Sequence, residues 1–182
     1  IYSSNDAAYA LGEVIGIENF TPGAEQGSLR GFVEKMNQKA EELGLENTNF
    51  VNPTGLDPYA KLGVGVDPEN LHYSPETFNS FNYSTARDLV KLAQYIFKNH
   101  PSIFEISLEP GPYPVRNGLS DLSLPENLNL IGGKTGYTSE AGGCFLVVFQ
   151  DEKGFLFFNL IFGTEREALI EEMQKLIDWI NL

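Results

Sequence analysis

Two short clusters in this sequence carry side chains suited to chemistry: Ser3-x-Asn5 near one end, and Lys134-Thr135-Gly136 far downstream, followed by Tyr137 and, further on, Arg166. A serine hydroxyl both donates and accepts, so it can relay a proton; an asparagine amide offers a carbonyl and an NH₂; a lysine supplies positive charge. A glycine two residues beyond that lysine lets another backbone approach closely. Each cluster alone reads more readily as structure, because Ser-x-Asn is a common tripeptide and Lys-Thr-Gly is an ordinary strand end with a turn. Arg166 falls in the first turn of an expected helix, where the helix dipole disfavours a cation. A solvated surface arginine is its plain alternative. Cys144 is the single cysteine, which excludes an internal disulfide, and with two scattered histidines it leaves no cluster spaced for a structural metal. Its plainest reading is a small buried apolar residue. No cofactor is implied.

The elements that must position these residues follow from periodicity and turn chemistry. Ser3 to Asn5 precede Ala7-Ala8-Tyr9-Ala10-Leu11, capping residues before good helix formers, so they are expected on a loop entering a short helix. Leu29, Phe32, Val33, Met36, Ala40 and Leu43 recur at helical spacing and predict an amphipathic helix over 28–43, with Gly44 as its stop. Asn52-Pro53-Thr54-Gly55 reads as a turn. Residues 57–82 lack sustained periodicity and read as a long surface loop or insertion with no assigned role. A second strong helix starts at Ser84, with Leu89, Leu92, Ala93, Ile96 and Phe97 on its apolar side, and ends at His100-Pro101.

Beyond Pro101 the pattern changes to short β-like runs: Ile103 to Leu108, Tyr113 to Arg116, and Leu128 to Gly132 leading into Lys134. Cys144 to Phe149 and Phe155 to Phe162 are clearer strands, joined as antiparallel neighbours by Asp151-Glu152-Lys153-Gly154. Thr164-Glu165-Arg166-Glu167 matches a capping box, and Leu169, Ile170, Met173, Leu176, Ile177 and Ile180 give a final helix one apolar face to lay on the sheet. Helices, then strands, then a closing helix, without βαβ alternation, argue for an α+β domain with an antiparallel sheet and no internal boundary.

At 182 residues, 42% hydrophobic and 12% aromatic, the chain has apolar material for a substantial core. Its 25 acidic against 12 basic side chains give a net charge of −13, which repels phosphate backbones and anionic headgroups, so nucleic acid is a poor candidate partner. No run approaches the roughly 18 to 20 apolar residues of a membrane span.

Taken together and in order, Ser3-x-Asn5 and Lys134-Thr135-Gly136 match the second and third motifs of the penicillin-binding proteins and active-site-serine β-lactamases, whose first motif is Ser-x-x-Lys. The stretch GFVEKMNQKAEELGLENTNFVNPTGLD, residues 31–57, resembles low-molecular-weight D-alanyl-D-alanine carboxypeptidases, peptidase family S11. So do YSTARDLVKLA at 83–93, GGKTGYTSEAGGC at 132–144, Arg166-Glu167-Ala168 and Leu176-Ile177-Asp178-Trp179. The resemblance covers nearly the whole chain.

It implies a β-lactamase/transpeptidase-like fold, with 1–182 a partial catalytic domain: a helical part at about 1–100, then the sheet and closing helix at about 101–182. It also implies acyl transfer, in which a serine attacks the terminal D-Ala-D-Ala peptide bond of a peptidoglycan stem, D-alanine leaves, and the acyl-enzyme is hydrolysed; penicillins mimic the dipeptide and stay attached. By the same resemblance Ser3 relays a proton to the leaving amine and Asn5 holds the substrate amide. Lys134 supplies positive charge, and Thr135 offers its hydroxyl to the substrate carboxylate. Gly136 admits substrate backbone, the Tyr137 N–H is one oxyanion donor, and Arg166 binds the carboxylate. Tyr137 stands where some relatives have histidine, and the insertion after Asp57 exceeds the expected connection.

None of the eleven serines has a lysine three residues later. The expectation is therefore a fragment without the nucleophile helix and the first sheet strands, inactive alone and prone to aggregate through the uncovered edge unless the missing N-terminal segment covers it. A non-catalytic peptidoglycan-binding relative is the alternative. A β-lactamase is disfavoured, since Glu126, its candidate base, lies too near Lys134 and reads as a turn. The resemblance places the work outside the cytoplasmic membrane.

Overall fold

The computed structural model describes residues 3–17, 27–57, 81–109 and 118–180. Two compact units emerge, one of Ser4–Leu92 and one of Ser3 with the residues from Ala93 onward.

In the first unit α1 (Asn5–Ile17) begins where Ser4 Oγ accepts a hydrogen bond from the Ala7 N–H at 3.1 Å, so Ser4 is the cap and Asn5 already the first helical residue. α2 (Gly27–Glu42) pairs with α1 at Gly12, where an added Cβ would sit 3.1 Å from both Leu29 and Phe32. Gly44, with φ of 65°, ends α2 as its position predicts. The chain then turns repeatedly on polar side chains. Asn37 brackets Phe50, accepting from its N–H at 2.7 Å and donating to its carbonyl at 2.8 Å. Asn52 Oδ1 accepts from the N–H groups of Thr54 and Gly55, which makes the expected Asn-Pro-Thr-Gly turn. Most of the 57–82 stretch lies outside the described residues.

α3 (Ala86–Asn99) starts two residues after Ser84, and its last turns belong to the second unit. There β1 (Leu128–Thr138), β2 (Gly142–Asp151) and β3 (Leu156–Thr164) form an antiparallel sheet in the order β1-β2-β3. The expected hairpin turn holds: Asp151 Oδ1 accepts from the N–H groups of Lys153 and Phe155 at 2.9 and 2.8 Å. Its central strand is buried on both faces, which is why residues 145–149 are continuously apolar. Phe145, Val147 and Phe149 pack with Leu169, Met173 and Ile177 of α5 (Leu169–Ile180), while Val148 meets Ala93 and Phe104 on the other side. Each such buried side chain contributes roughly 1.5–3 kcal/mol.

Two expectations are corrected. Residues 103–108, read as β-like, belong to a helix, α4 (Ser102–Leu108). Pro101 stands before it with φ of −59°, and Phe104 and Ser107, three apart, are its buried pair while Ile103 and Ile106 face outward. A short apolar run does not distinguish strand from helix; the proline-set backbone and the spacing of burial do. The capping box at Thr164–Glu167 does not form: Thr164 ends β3, Glu165 makes no side-chain cap, and Arg166–Ala168 is a 3-10 turn ahead of α5. The run Tyr113 to Arg116 lies outside the described residues.

Candidate active site

β1 carries Lys134, Thr135, Gly136 and Tyr137 along one edge of the sheet. Alternation puts Lys134 and Gly136 on one face and Thr135 and Tyr137 on the other. The ladder pairs Lys134 with Leu146, Thr135 with Phe145, Gly136 with Cys144 and Tyr137 with Gly143. Cys144 is half-buried on β2, with its Sγ near the carbonyls of Ala141 and Gly142.

The Lys134 ammonium donates to Ser3 Oγ at 2.9 Å, across 131 positions of sequence, and also to the adjacent Thr135 carbonyl. Ser3 has a φ of 49°, in the left-handed region that non-glycine residues rarely occupy. A serine held there against a lysine is local strain at the residue the motif singles out, a kind of strain that clusters at functional sites. Although Lys134 is exposed as a whole, protein atoms around its ammonium desolvate it and hold it below the ordinary lysine value. Asn5 belongs to the other unit, exposed in the first turn of α1.

Arg166 is not in the first turn of an α-helix but opens the 3-10 turn, so the dipole argument for its placement weakens. Its guanidinium lies over the Tyr137 ring, 5.3 Å from the centroid. Thr135, Gly136 and Tyr137 range from half-buried to exposed, and Glu126 sits in a turn closed by the Leu128 N–H donating to the Pro125 carbonyl.

Sequence reasoning missed Ser107. The register of β1 against β2 slips between Leu130 and Gly132, immediately before Lys134. The Gly133 N–H donates to Ser107 Oγ at 3.0 Å, and that hydroxyl donates to the Phe104 carbonyl at 2.6 Å, both buried. Ser107 thus anchors the backbone just before Lys134. Its signal was the i,i+3 pairing with Phe104, hidden by the β-like reading of 103–108.

The family model described as D-alanyl-D-alanine carboxypeptidase, peptidase S11, matches residues 1–156. The chain is 33% identical, over 95% of its length, to the D-alanyl-D-alanine carboxypeptidase DacF of Bacillus subtilis, and 29% identical, over 98%, to DacA of Haemophilus influenzae. It spans 39% of the length of each of these relatives. Among solved structures, a Streptococcus pneumoniae peptidoglycan synthesis regulatory factor, PBP3, superposes with a TM-score of 0.71 at 26% identity, covering 98% of this chain and 50% of that one. With its helices, antiparallel sheet and ordered motifs, this chain belongs to the peptidase S11 family of D-alanyl-D-alanine carboxypeptidases and has the fold of the penicillin-binding proteins.

Proposed function

We propose that these residues are the substrate-binding and proton-relay portion of a serine-type D-alanyl-D-alanine carboxypeptidase, whose nucleophile comes from outside the 182 residues. The observation that supports this most is the Lys134–Ser3 hydrogen bond, which brings together one residue of each motif from opposite ends of the sequence. Because Ser3 Oγ accepts from the ammonium, its own proton is free to be donated elsewhere.

In this reading the external serine adds to the carbonyl of the penultimate D-alanine, and its proton passes to its own base. The Tyr137 N–H and the nucleophile's N–H stabilise the oxyanion. As the C–N bond breaks, Ser3 gives its proton to the departing amine of D-alanine and recovers, through Lys134, the proton that the nucleophile's base had taken. Thr135 and Arg166 hold the terminal carboxylate, Asn5 orients the substrate amide, and Gly136 leaves room for substrate backbone. Water then hydrolyses the acyl-enzyme. The setting is peptidoglycan outside the cytoplasmic membrane, and penicillins are the expected inhibitors.

Intact-mass spectrometry of the protein from its native source, after incubation with penicillin, tests this. A penicillin adduct on a longer chain, or on a separate piece that co-purifies, is the expected result. An unmodified 20.2 kDa species as the only native form would overturn it. The second reading, a non-catalytic peptidoglycan-binding relative, draws on the absence of Ser-x-x-Lys among these residues. Saturable binding of D-Ala-D-Ala peptides without turnover or adduct favours it.

A further inference from the structure

We propose that Tyr137 is a positioning residue whose ring face holds the Arg166 guanidinium edge-outward, so that its N–H fork is free for a carboxylate; the carboxylate part rests on the reading above.

Three observations meet here. The guanidinium carbon stands 5.3 Å from the Tyr137 ring centroid, within the range of a cation–π contact. Arg166 forms no ion pair or hydrogen bond among the described residues, although Glu165 and Glu167 flank it, so its N–H donors are unspent. A planar guanidinium uses face and edge independently: the face stacks on an aromatic ring while the edge offers paired N–H donors to a carboxylate.

The third observation explains how residues from opposite sides of the sheet meet. Tyr137 on β1 pairs with Gly143 on β2, and Gly143 pairs with Thr164 on β3. A Cβ at Gly143 would stand 2.9 Å from Thr164 Cγ2 and 3.1 Å from Leu169 Cδ1. The glycine therefore lets the end of β3 and the start of α5 close over β2, and Arg166, two residues beyond Thr164, reaches across to the ring. An exposed arginine has many rotamers; the ring selects those with the edge outward, which lowers the entropy lost on binding an anion. Only the aromatic face is required, so phenylalanine suffices and an aliphatic residue of similar bulk does not.

The test uses the complete protein as its source makes it, in wild-type, Tyr137→Phe and Tyr137→Leu forms. Tyr137 is 47% exposed, so neither substitution disturbs the core. Two readouts are taken: the ring-current displacement of the Arg166 Nε–H resonance, and the affinity ratio between N-acetyl-D-alanyl-D-alanine and its C-terminal amide. Expected are an upfield Nε–H and a preference for the acid in wild type, both kept in Tyr137→Phe. Tyr137→Leu should lose the displacement and reduce the acid-to-amide ratio by roughly two- to fivefold, the worth of an exposed cation–π contact. If Tyr137→Leu keeps the ratio while the displacement vanishes, the ring does not position Arg166 for binding and the proposal fails. Loss of the ratio in Tyr137→Phe would overturn it too, by assigning the effect to the hydroxyl. A displaced resonance in a wild-type protein that does not distinguish acid from amide would sink the carboxylate reading of Arg166 while leaving the ring contact established.

Discussion

The two compact units reach order by different physics. In the Ser4–Leu92 unit only Ala40 and Leu45 are fully buried apolar side chains among the described residues, and the backbone is shaped by polar groups. Asp88 accepts from the Asn47 N–H at 2.8 Å and the Thr48 hydroxyl at 3.0 Å; Asn82 Oδ1 accepts from the Val51 and Asn52 N–H groups; the Lys91 ammonium donates to the Gly44 carbonyl at 2.6 Å. The sheet unit instead buries Phe145, Val147, Val148, Phe149, Met173 and Ile177 to 1% exposure or less. Neutral hydrogen bonds of this kind contribute a net ~0.5–1.5 kcal/mol each and those to charged groups ~1.5–3, against ~1.5–3 for a buried aromatic or aliphatic side chain, and the hydrogen bonds are directional. The contrast teaches that directional polar contacts shape the helical unit, whereas apolar burial holds the sheet unit. It also leaves Leu11, Val14 and Ile15 of α1 exposed.

Cutting into the sheet core is the strongest way to test this contrast. Phe149→Ala should cost about 3–5 kcal/mol, read as a lowered denaturant midpoint reported by sheet amides in native-state hydrogen exchange. A loss below 1 kcal/mol would mean that the core is not what holds this unit. Next, Asp88→Ala should cost about 2–3 kcal/mol, because two hydrogen bonds to a charged acceptor vanish. Its signature is local, with faster exchange at the Asn47 amide and little change across β2. Equal acceleration in both units would show that they unfold as one and break the comparison.

Ser107→Ala asks whether the sheet unit also depends on a directional contact. It leaves the buried Gly133 N–H without its acceptor, and a cost of about 1–2 kcal/mol is expected, with the Gly133 amide the most affected. A neutral result would mean that the slip before Lys134 needs no anchor. The smallest effect is electrostatic. Desolvation lowers the folded-state value of Lys134, so the unfolded chain holds that proton to higher pH, and stability from this residue rises with pH between the lowered value and 10.5. The difference in urea midpoint between wild type and Lys134→Met should therefore move in favour of wild type across that window. No movement would mean that the ammonium is fully hydrated.

Much of the scaffold was legible because its periodicity is strong. The helix at 28–43, the helix ending before His100, and the hairpin of β2 and β3 stand within a residue or two of expectation, and the closing helix lays the expected apolar face on the sheet although it starts only at Leu169. Their patterns repeat over enough residues for local preference and burial to agree. Residues 103–108 failed because so short a run of Ile, Phe, Ile and Leu satisfies either period. The capping box failed because β3 continues through Thr164, paired with Gly143, and a 3-10 turn at Arg166–Ala168 intervenes before α5.

For the site, the sequence alone determined which residue types are present and in what order, and that order was enough to find the family resemblance, since motif spacing is a property of the chain. It also determined that Lys134 lies on an apolar-patterned strand and that Gly44 and Gly154 stop or turn the backbone. Tertiary structure decided everything that depends on distance between positions far apart in sequence. It brought Lys134 to Ser3, seated Ser107 beneath the backbone that precedes Lys134, and laid Arg166 across Gly143 onto the Tyr137 ring. The physical reason is that these contacts stabilise only after the sheet has formed. The register that juxtaposes residues 137, 143 and 164 is set by how the hydrophobic faces of three strands bury together, not by any signal at those residues.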